Sequence, residues 1–216
     1  SRKVGVLGCG LMGSGSAEIA AKAGFETVVR EVSDGLLEKG MGRIRGSLAR
    51  AVEKGKMTAD ERDVVLGRIQ GTTGFEAMAD CDLVVEAIVE NLDEKKSTYA
   101  ALDKVVQPAA IFASNTSSLT VTQLAMATSR PSRFVGLHFF NPVPVMKLVE
   151  VVRTLLTDDA VLAEVDVFCR ALGKTPVACR DNSGFIVNRL LVPYLLDAIR
   201  ALEEGVDLGG RRIMKK

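Results

Sequence analysis

The stretch KVGVLGCGLMGSGSAEIAAKAGFETVVRE, residues 3–31, decides the fold. Lys3 to Leu7 reads as a short strand, and an alanine-rich run from about Leu11 to Ala23, stopped by Gly24, reads as a helix. ETVVRE, residues 26–31, is the second strand. Strand, helix and strand within about 30 residues make a βαβ unit, for which parallel strands and a right-handed crossover are expected. Gly8, Gly10 and Gly13 stand in GxGxxG spacing. That spacing alone is a weak signal, but here it follows a strand, opens a helix and precedes a strand ending in an acid. The pattern assigns Gly8 to the tight turn, Gly10 to the close approach of a pyrophosphate, and Gly13 to close helix–strand packing. Leu11 and Met12 lie between the last two glycines and count with them as cofactor-binding positions. Glu31 comes 18 residues after Gly13, where a carboxylate accepts from both ribose hydroxyls of an adenosine, so NAD is expected rather than NADP. Arg30 is the one contrary charge, and a glycine-rich turn without a ligand is the plain alternative.

Outward from this unit the alternation continues. Leu37, Met41, Ile44, Leu48 and Val52 share one face of a helix over 36–52, and Thr58 with Glu61 forms a capping box that opens another. These two predict an antiparallel helical hairpin, about residues 34–67, inserted into the βα pattern. Further strands are expected near 69–72, 82–86 and 110–114, with a helix from about Asp93 to Val106. Phe134 to Phe139 and Leu148 to Val152 are joined by a link too short for a parallel crossover, so they should run antiparallel. Thr157 is expected to cap a helix ending at Gly173, before a last strand from Thr175 to Cys179. From Gly184, GFIVNRLLVPYLLDAIRALEEG reads as one apolar helix interrupted only by Pro193, followed by GVDLGG and the basic RRIMKK. The expected class is α/β: a Rossmann-type, doubly wound, mostly parallel sheet with a helical hairpin. Residues 1–181 form the NAD-binding domain and 182–216 the start of a helical one.

Composition narrows the function. With a net charge of +1, 5% aromatic residues and no Trp, nothing points to nucleic acid or an anionic membrane. The longest apolar stretch near the end falls well short of a membrane span. Four scattered cysteines (Cys9, Cys81, Cys169 and Cys179) form no metal-ligand spacing and suggest a reducing compartment. The expected location is the cytoplasm, or the mitochondrial matrix if a presequence preceded Ser1.

Three stretches place polar residues just past strands, where ligands sit in open α/β sheets. VVEAIVENLDEKK carries Glu86, Glu90 and Lys95; FASNTSSL carries Asn115, Ser117 and Ser118; GLHFFNPVPVMKLVEV carries His138, Asn141 and Glu150. His138 is the only histidine. A lone histidine on an apolar strand is ordinarily a core residue, and an unpaired carboxylate in KLVEVV would be costly to bury. As a pair they make sense for oxidising an alcohol: imidazole takes the hydroxyl proton near neutral pH, and a carboxylate on the other ring nitrogen orients it. Ser118 also suits a simple turn cap, and Asn188 within a helix either faces solvent or has a task.

These stretches, with GCGLMGSG, RFVGLHFFNPVPVMKLVEVV and GFIVNRLLVPYL, resemble the L-3-hydroxyacyl-CoA dehydrogenases from Lys3 to about Glu204. The resemblance implies reversible NAD-dependent oxidation of a (3S)-3-hydroxyacyl-CoA to the 3-oxoacyl-CoA. It makes His138 the general base, Glu150 its orienting partner, and Ser117 and Asn188 binders of the substrate's reacting region. It places Glu90, Lys95, Asn141 and Ser117 at the nicotinamide half of NAD, and Ser47 and Lys54 at the CoA moiety. Lys54 in EKGK also suits an ordinary solvated lysine. Glu31 stands in place of the family's usual aspartate, and Ser183 where proline is expected. The family's helical C-terminal domain, which covers the substrate and forms a homodimer, is represented only by its first helix. The expectation is therefore NAD binding with weakened acyl-CoA turnover, and self-association through that helix. The alternatives are a dehydrogenase of a free hydroxy acid and a non-catalytic NAD-binding protein.

Overall fold

The computed structural model describes residues 3–203, so GVDLGG and RRIMKK lie outside the described residues. Eight strands form one sheet: β1 (Lys3–Leu7), β2 (Glu26–Arg30), β3 (Ile69–Thr72), β4 (Leu83–Glu86), β5 (Ile111–Ser114), β6 (Phe134–Phe139), β7 (Leu148–Arg153) and β8 (Thr175–Arg180). Their order is β3-β2-β1-β4-β5-β6-β7-β8. Strands β1 to β6 run parallel; β7 is antiparallel to β6, and β8 is parallel to β7. The order reverses between β1 and β4, so a crevice opens past their carboxyl ends, where ligands settle in such sheets.

Helices cover both faces, as the doubly wound expectation requires. On one side lie α1 (Leu11–Lys22), α2 (Asp34–Glu53), α3 (Ala59–Gly67) and α6 (Asp159–Ala171). They bury Ile19, Ala20, Ile44, Leu48, Val65, Val161 and Phe168 against inward valines of the sheet. On the other lie α4 (Leu92–Leu102) and α5 (Val121–Ala125), packing Tyr99, Leu102, Val121 and Leu124 onto Phe112 and Phe134. Tyr99 is fully buried and satisfies its hydroxyl on the Ala113 carbonyl at 3.0 Å. The last helix, α7 (Val187–Glu203), has no buried residue and leaves Leu190, Leu195, Leu196 and Ile199 exposed. All four cysteines are free, and three of them are buried.

The sequence expectations hold for all eight strands to within a residue or two. The capping box at Thr58 and Glu61 is present in both directions, with bonds of 3.1 and 2.7 Å. Four details differ. Helix α4 ends at Leu102 rather than Val106, and its start is fixed by Asn91, whose side chain accepts from the Asp93 and Glu94 amides. Thr157 does not cap α6. Asp158 holds that position, and the Thr157 hydroxyl instead donates to the Phe134 carbonyl at 2.7 Å, tying the turn after β7 back to β6. The final helix begins at Val187, because Gly184 and Phe185 take left-handed backbone angles that break the helical path before it. Helix α5 was not anticipated; five residues are too few to show a period.

The β6–β7 connection, residues 140–147, leans on α1: a side chain at Gly15 would collide with Val143. Lys174, only 8% exposed, donates to the carbonyls of Val143 and Met146, the latter at 2.8 Å, and burial pushes its ammonium below the usual lysine range. Replacing it by Met strands both carbonyls. Lys174→Met is expected to cost about 1–3 kcal/mol in urea denaturation; an unchanged midpoint would show that water replaces the lysine freely.

Candidate active site

The glycine turn is built as a phosphate cradle, and two of its glycines answer to the protein itself. A side chain at Gly13 would stand 1.9 Å from the Gly8 carbonyl oxygen, and one at Gly8, whose φ is +86°, would meet the Ala87 carbonyl at 2.6 Å. Gly10 is different: a side chain there would touch nothing within 4 Å. The protein places no demand on that glycine, so the demand comes from something that approaches the backbone closely, as a pyrophosphate does. Gly10 is also the N-cap of α1 and offers no side-chain bond, which leaves the first amides of the helix for an anion. The exposed Leu11 and half-buried Met12 supply the start of that helix. Glu31 closes the adenosine end. Its oxygens accept the Cys9 amide at 2.6 Å and the Val32 amide at 3.0 Å, which fixes the carboxylate while spare lone pairs remain for ribose hydroxyls. These residues fit NAD.

At the other end, one cleft of about 350 Å³ gathers Met12, Glu90, Lys95, Asn115, Ser117, His138, Phe140, Asn141 and Asn188. The ends of β4, β5 and β6 and the first turns of α1, α4 and α7 supply them. His138 and Glu150 are direct cross-strand partners of the antiparallel β6–β7 pair. Nδ1 of His138 lies 2.7 Å from Oε2 of Glu150, with the residues 6% and 1% exposed. The other carboxylate oxygen accepts the amides of Ile186 and Val187, each at 2.9 Å. A buried carboxylate with three donors is balanced. With Nδ1 engaged, Nε2 is the ring nitrogen left for a ligand. Asn115 accepts the Phe139 amide at 2.9 Å and so fixes the end of β6.

The second group of charges sits at the ends of β4 and β5. Glu86, fully buried, accepts from Lys95 Nζ at 2.5 Å, the Ser114 hydroxyl at 2.7 Å and the Ile88 amide at 2.8 Å. Lys95 also stands 3.2 Å from Glu90. Glu90 in turn accepts the Thr116 hydroxyl at 2.5 Å, the Ser117 amide at 3.1 Å and the Ser118 hydroxyl at 3.1 Å. Burial alone would raise the Glu90 carboxyl, but the Thr116 hydroxyl, the Lys95 charge and the Ser117 amide together hold it below the usual carboxylate range. Lys95 thus lines the cleft with its ammonium already committed to two carboxylates. Ser118 anchors the turn by donating to Glu90.

The CoA positions are less gathered. Ser47 lines a separate cavity of about 410 Å³ between α1, α2 and residues 141–145, together with Arg43, Arg50 and Asn141. Lys54, the exposed C-cap of α2, does not line it. Ser47 and Lys54 are two turns apart, so they share a helix face. Sequence reasoning missed Thr116, Phe185 and the Ile186 and Val187 amides. The amides carry no side-chain signature, and Thr116 was hidden among equivalent hydroxyls in NTSSL. No candidate metal cluster occurs among the described residues, and none of their helices is long and apolar enough to cross a membrane.

A mostly parallel sheet with a glycine turn at its reversal point and a buried histidine–carboxylate pair defines a nicotinamide-dinucleotide oxidoreductase. Residues 3–182 match the model of the 3-hydroxyacyl-CoA dehydrogenase, NAD binding domain, and the chain belongs to that family. It is 52% identical over 206 residues to a 3-hydroxybutyryl-CoA dehydrogenase of Mycobacterium tuberculosis, covering 94% of this chain and 72% of the relative. It is 47% identical over 211 residues to the mitochondrial hydroxyacyl-coenzyme A dehydrogenase of Rattus norvegicus, covering 94% and 67%. The crystal structure of an (S)-3-hydroxybutyryl-CoA dehydrogenase from Ralstonia eutropha superposes with a TM-score of 0.92 at 42% identity, covering 94% and 72%.

Removing the Lys95 ammonium leaves Glu86 buried without its cation. Lys95→Met is expected to lose about 3–5 kcal/mol of stability, and a loss below about 1 kcal/mol would mean that Glu86 takes up a proton at little cost. Glu90, held low in the folded chain, adds stability that is fully present above the ordinary glutamate pKa of about 4.3 and is lost as pH falls through its lowered value. Glu90→Gln should therefore lower the melting temperature at pH 7 and flatten the acid limb of a thermal-denaturation profile below about pH 5, so that variant and wild type converge at low pH.

Proposed function

We propose that the chain carries out reversible NAD-dependent oxidation of a (3S)-3-hydroxyacyl-CoA to the 3-oxoacyl-CoA. The observation that carries this reading is the buried His138–Glu150 pair, whose histidine lines one cleft together with Met12 of the GxGxxG segment. In the oxidation direction His138 Nε2 removes the 3-hydroxyl proton. Glu150, on Nδ1, fixes the tautomer and stabilises the imidazolium that results. Ser117 and Asn188, both lining the cleft, bond the reacting oxygen and the thioester region. Bound NAD⁺ supplies the acceptor for the hydride that leaves C3. Gly8, Gly10, Leu11, Met12, Gly13 and Glu31 hold its adenosine and pyrophosphate, and Glu90, Lys95, Ser117 and Asn141 lie at its nicotinamide end. Lys95 acts there through Glu90, which it anchors.

Ser47 and Lys54 are assigned to the CoA moiety, on the shared face of α2. Residues 1–181 form the NAD-binding domain, and α7 is the first helix of the substrate domain. Its exposed apolar face is the surface through which copies of the chain associate, as a homodimer. Four free cysteines favour a reducing compartment, the cytoplasm or the mitochondrial matrix.

The test is oxidation of NADH and of NADPH by acetoacetyl-CoA. NADH should be the better donor, free CoA should compete, and His138→Gln should lower kcat by about 10²–10⁴-fold with NADH binding intact. Equal rates for the variant and the wild type would remove His138 from the chemistry, and indifference to CoA would favour a free hydroxy acid as substrate. Sedimentation at tens of micromolar should show association that Leu195→Glu with Ile199→Glu reduces.

A further inference from the structure

Phe185 is the one non-glycine residue with positive φ among the described residues, at +48°, and it follows Gly184 at +74°. A bulky ring in the left-handed region is an outlier, and such strained backbone persists where surrounding contacts over-determine it. Gly184 is obligatory in this turn, since a side chain there would stand 2.9 Å from the Arg189 amide nitrogen. The Phe185 amide donates to the Asn182 carbonyl at 2.9 Å and closes the turn.

Two consequences of this conformation meet at the His138–Glu150 pair. The chain turns so that the next two amides, Ile186 and Val187, both point at one oxygen of Glu150. Successive amides converging on an anion in this way form a small cationic concavity. The Phe185 side chain, 4% exposed, lies against His138 with ring centroids 5.5 Å apart and planes at 59°. Phe140 lies against the same imidazole, at 4.5 Å and 55°. A histidine in contact with two aromatic rings, and held at Nδ1 by a carboxylate that is itself held by two amides, has its orientation constrained while Nε2 is left free for a ligand.

We infer that the Gly184–Phe185 turn is a positioning element for the base: its amides set Glu150, and the Phe185 ring fixes the imidazole and keeps water from Nδ1. The inference rests on the reading of His138 as the base. The turn lies past residue 182, where the match to the NAD-binding domain ends. The pair carried by β6 and β7 is therefore completed by the segment that follows.

The test uses the full 216-residue chain, whose single histidine gives one imidazole signal set in ¹⁵N-labelled protein. The wild type should show a solvent-protected Nδ1–H resonance. Phe185→Ala should lose that protection and lower kcat for acetoacetyl-CoA with NADH about a hundredfold, with KM and NADH affinity within about twofold. Phe185→Leu, which restores an apolar cover, should recover most of the protection and of kcat. Phe185→Gly, which relieves the backbone, takes the place of the alanine variant if that one does not fold, with the same expectations. An unchanged, protected resonance in Phe185→Ala overturns the inference, and so does a parallel loss of kcat, KM and NADH affinity. If the wild type itself does not turn over acetoacetyl-CoA, the proposed reaction fails, and the imidazole resonance alone decides the role of the turn.

Discussion

One carboxylate, Glu150, organises this molecule. It is 1% exposed, in the middle of an apolar strand, where an ionised group survives only if nearly all its lone pairs are used. The structure uses them on two different elements: His138 from the neighbouring strand, and two amides from the start of α7. Removing Glu150 would therefore free both the imidazole and the helix entry. The antiparallel turn of β7 is what makes the arrangement feasible. It sets Glu150 directly opposite His138, so sheet register brings the two side chains together and the turn before α7 then orients them.

A second set, buried Glu86 and Lys95 with the exposed Glu90, solves the same problem with a cation. Two carboxylates share one ammonium, and hydroxyls from Ser114, Thr116 and Ser118 fill the remaining positions. These bonds tie the end of β4 to the end of β5 and to the first turns of α4. Of this set, Glu90 and Lys95 line the same cleft as His138. Rigidity there comes from polar groups satisfied inside the protein, and apolar packing from the two faces of the sheet supplies the platform beneath.

Much of this was legible in the sequence because chemistry and periodicity agreed. The residues 3–31 unit, the reversal between Phe139 and Leu148, and the pairing of His138 with Glu150 each rested on two independent signals. What was hidden had only one signal or none. The Ile186 and Val187 amides have no sequence signature, and Phe185 reads as one more apolar residue in GFIV. Lys95 was read as a cofactor contact, and its commitment to Glu86 depends on a burial that the charged run DEKK conceals. Thr157 looked like a cap because Thr before an apolar run usually is one; a tertiary acceptor, the Phe134 carbonyl, claimed it instead.

The cysteines bear on the chemistry in another way. Burial pushes the thiols of Cys9 and Cys179 up to about 11 and those of Cys81 and Cys169 up to about 12. A thiolate is the form that attacks a thioester, and at neutral pH these side chains hold almost none of it. Cys9 sits in the glycine turn itself, closest of the four to where a nucleotide would lie. A protein that handles acyl-CoA would otherwise risk taking the acyl group onto its own sulfur. Here the packing that builds the core also keeps these four thiols in the protonated form.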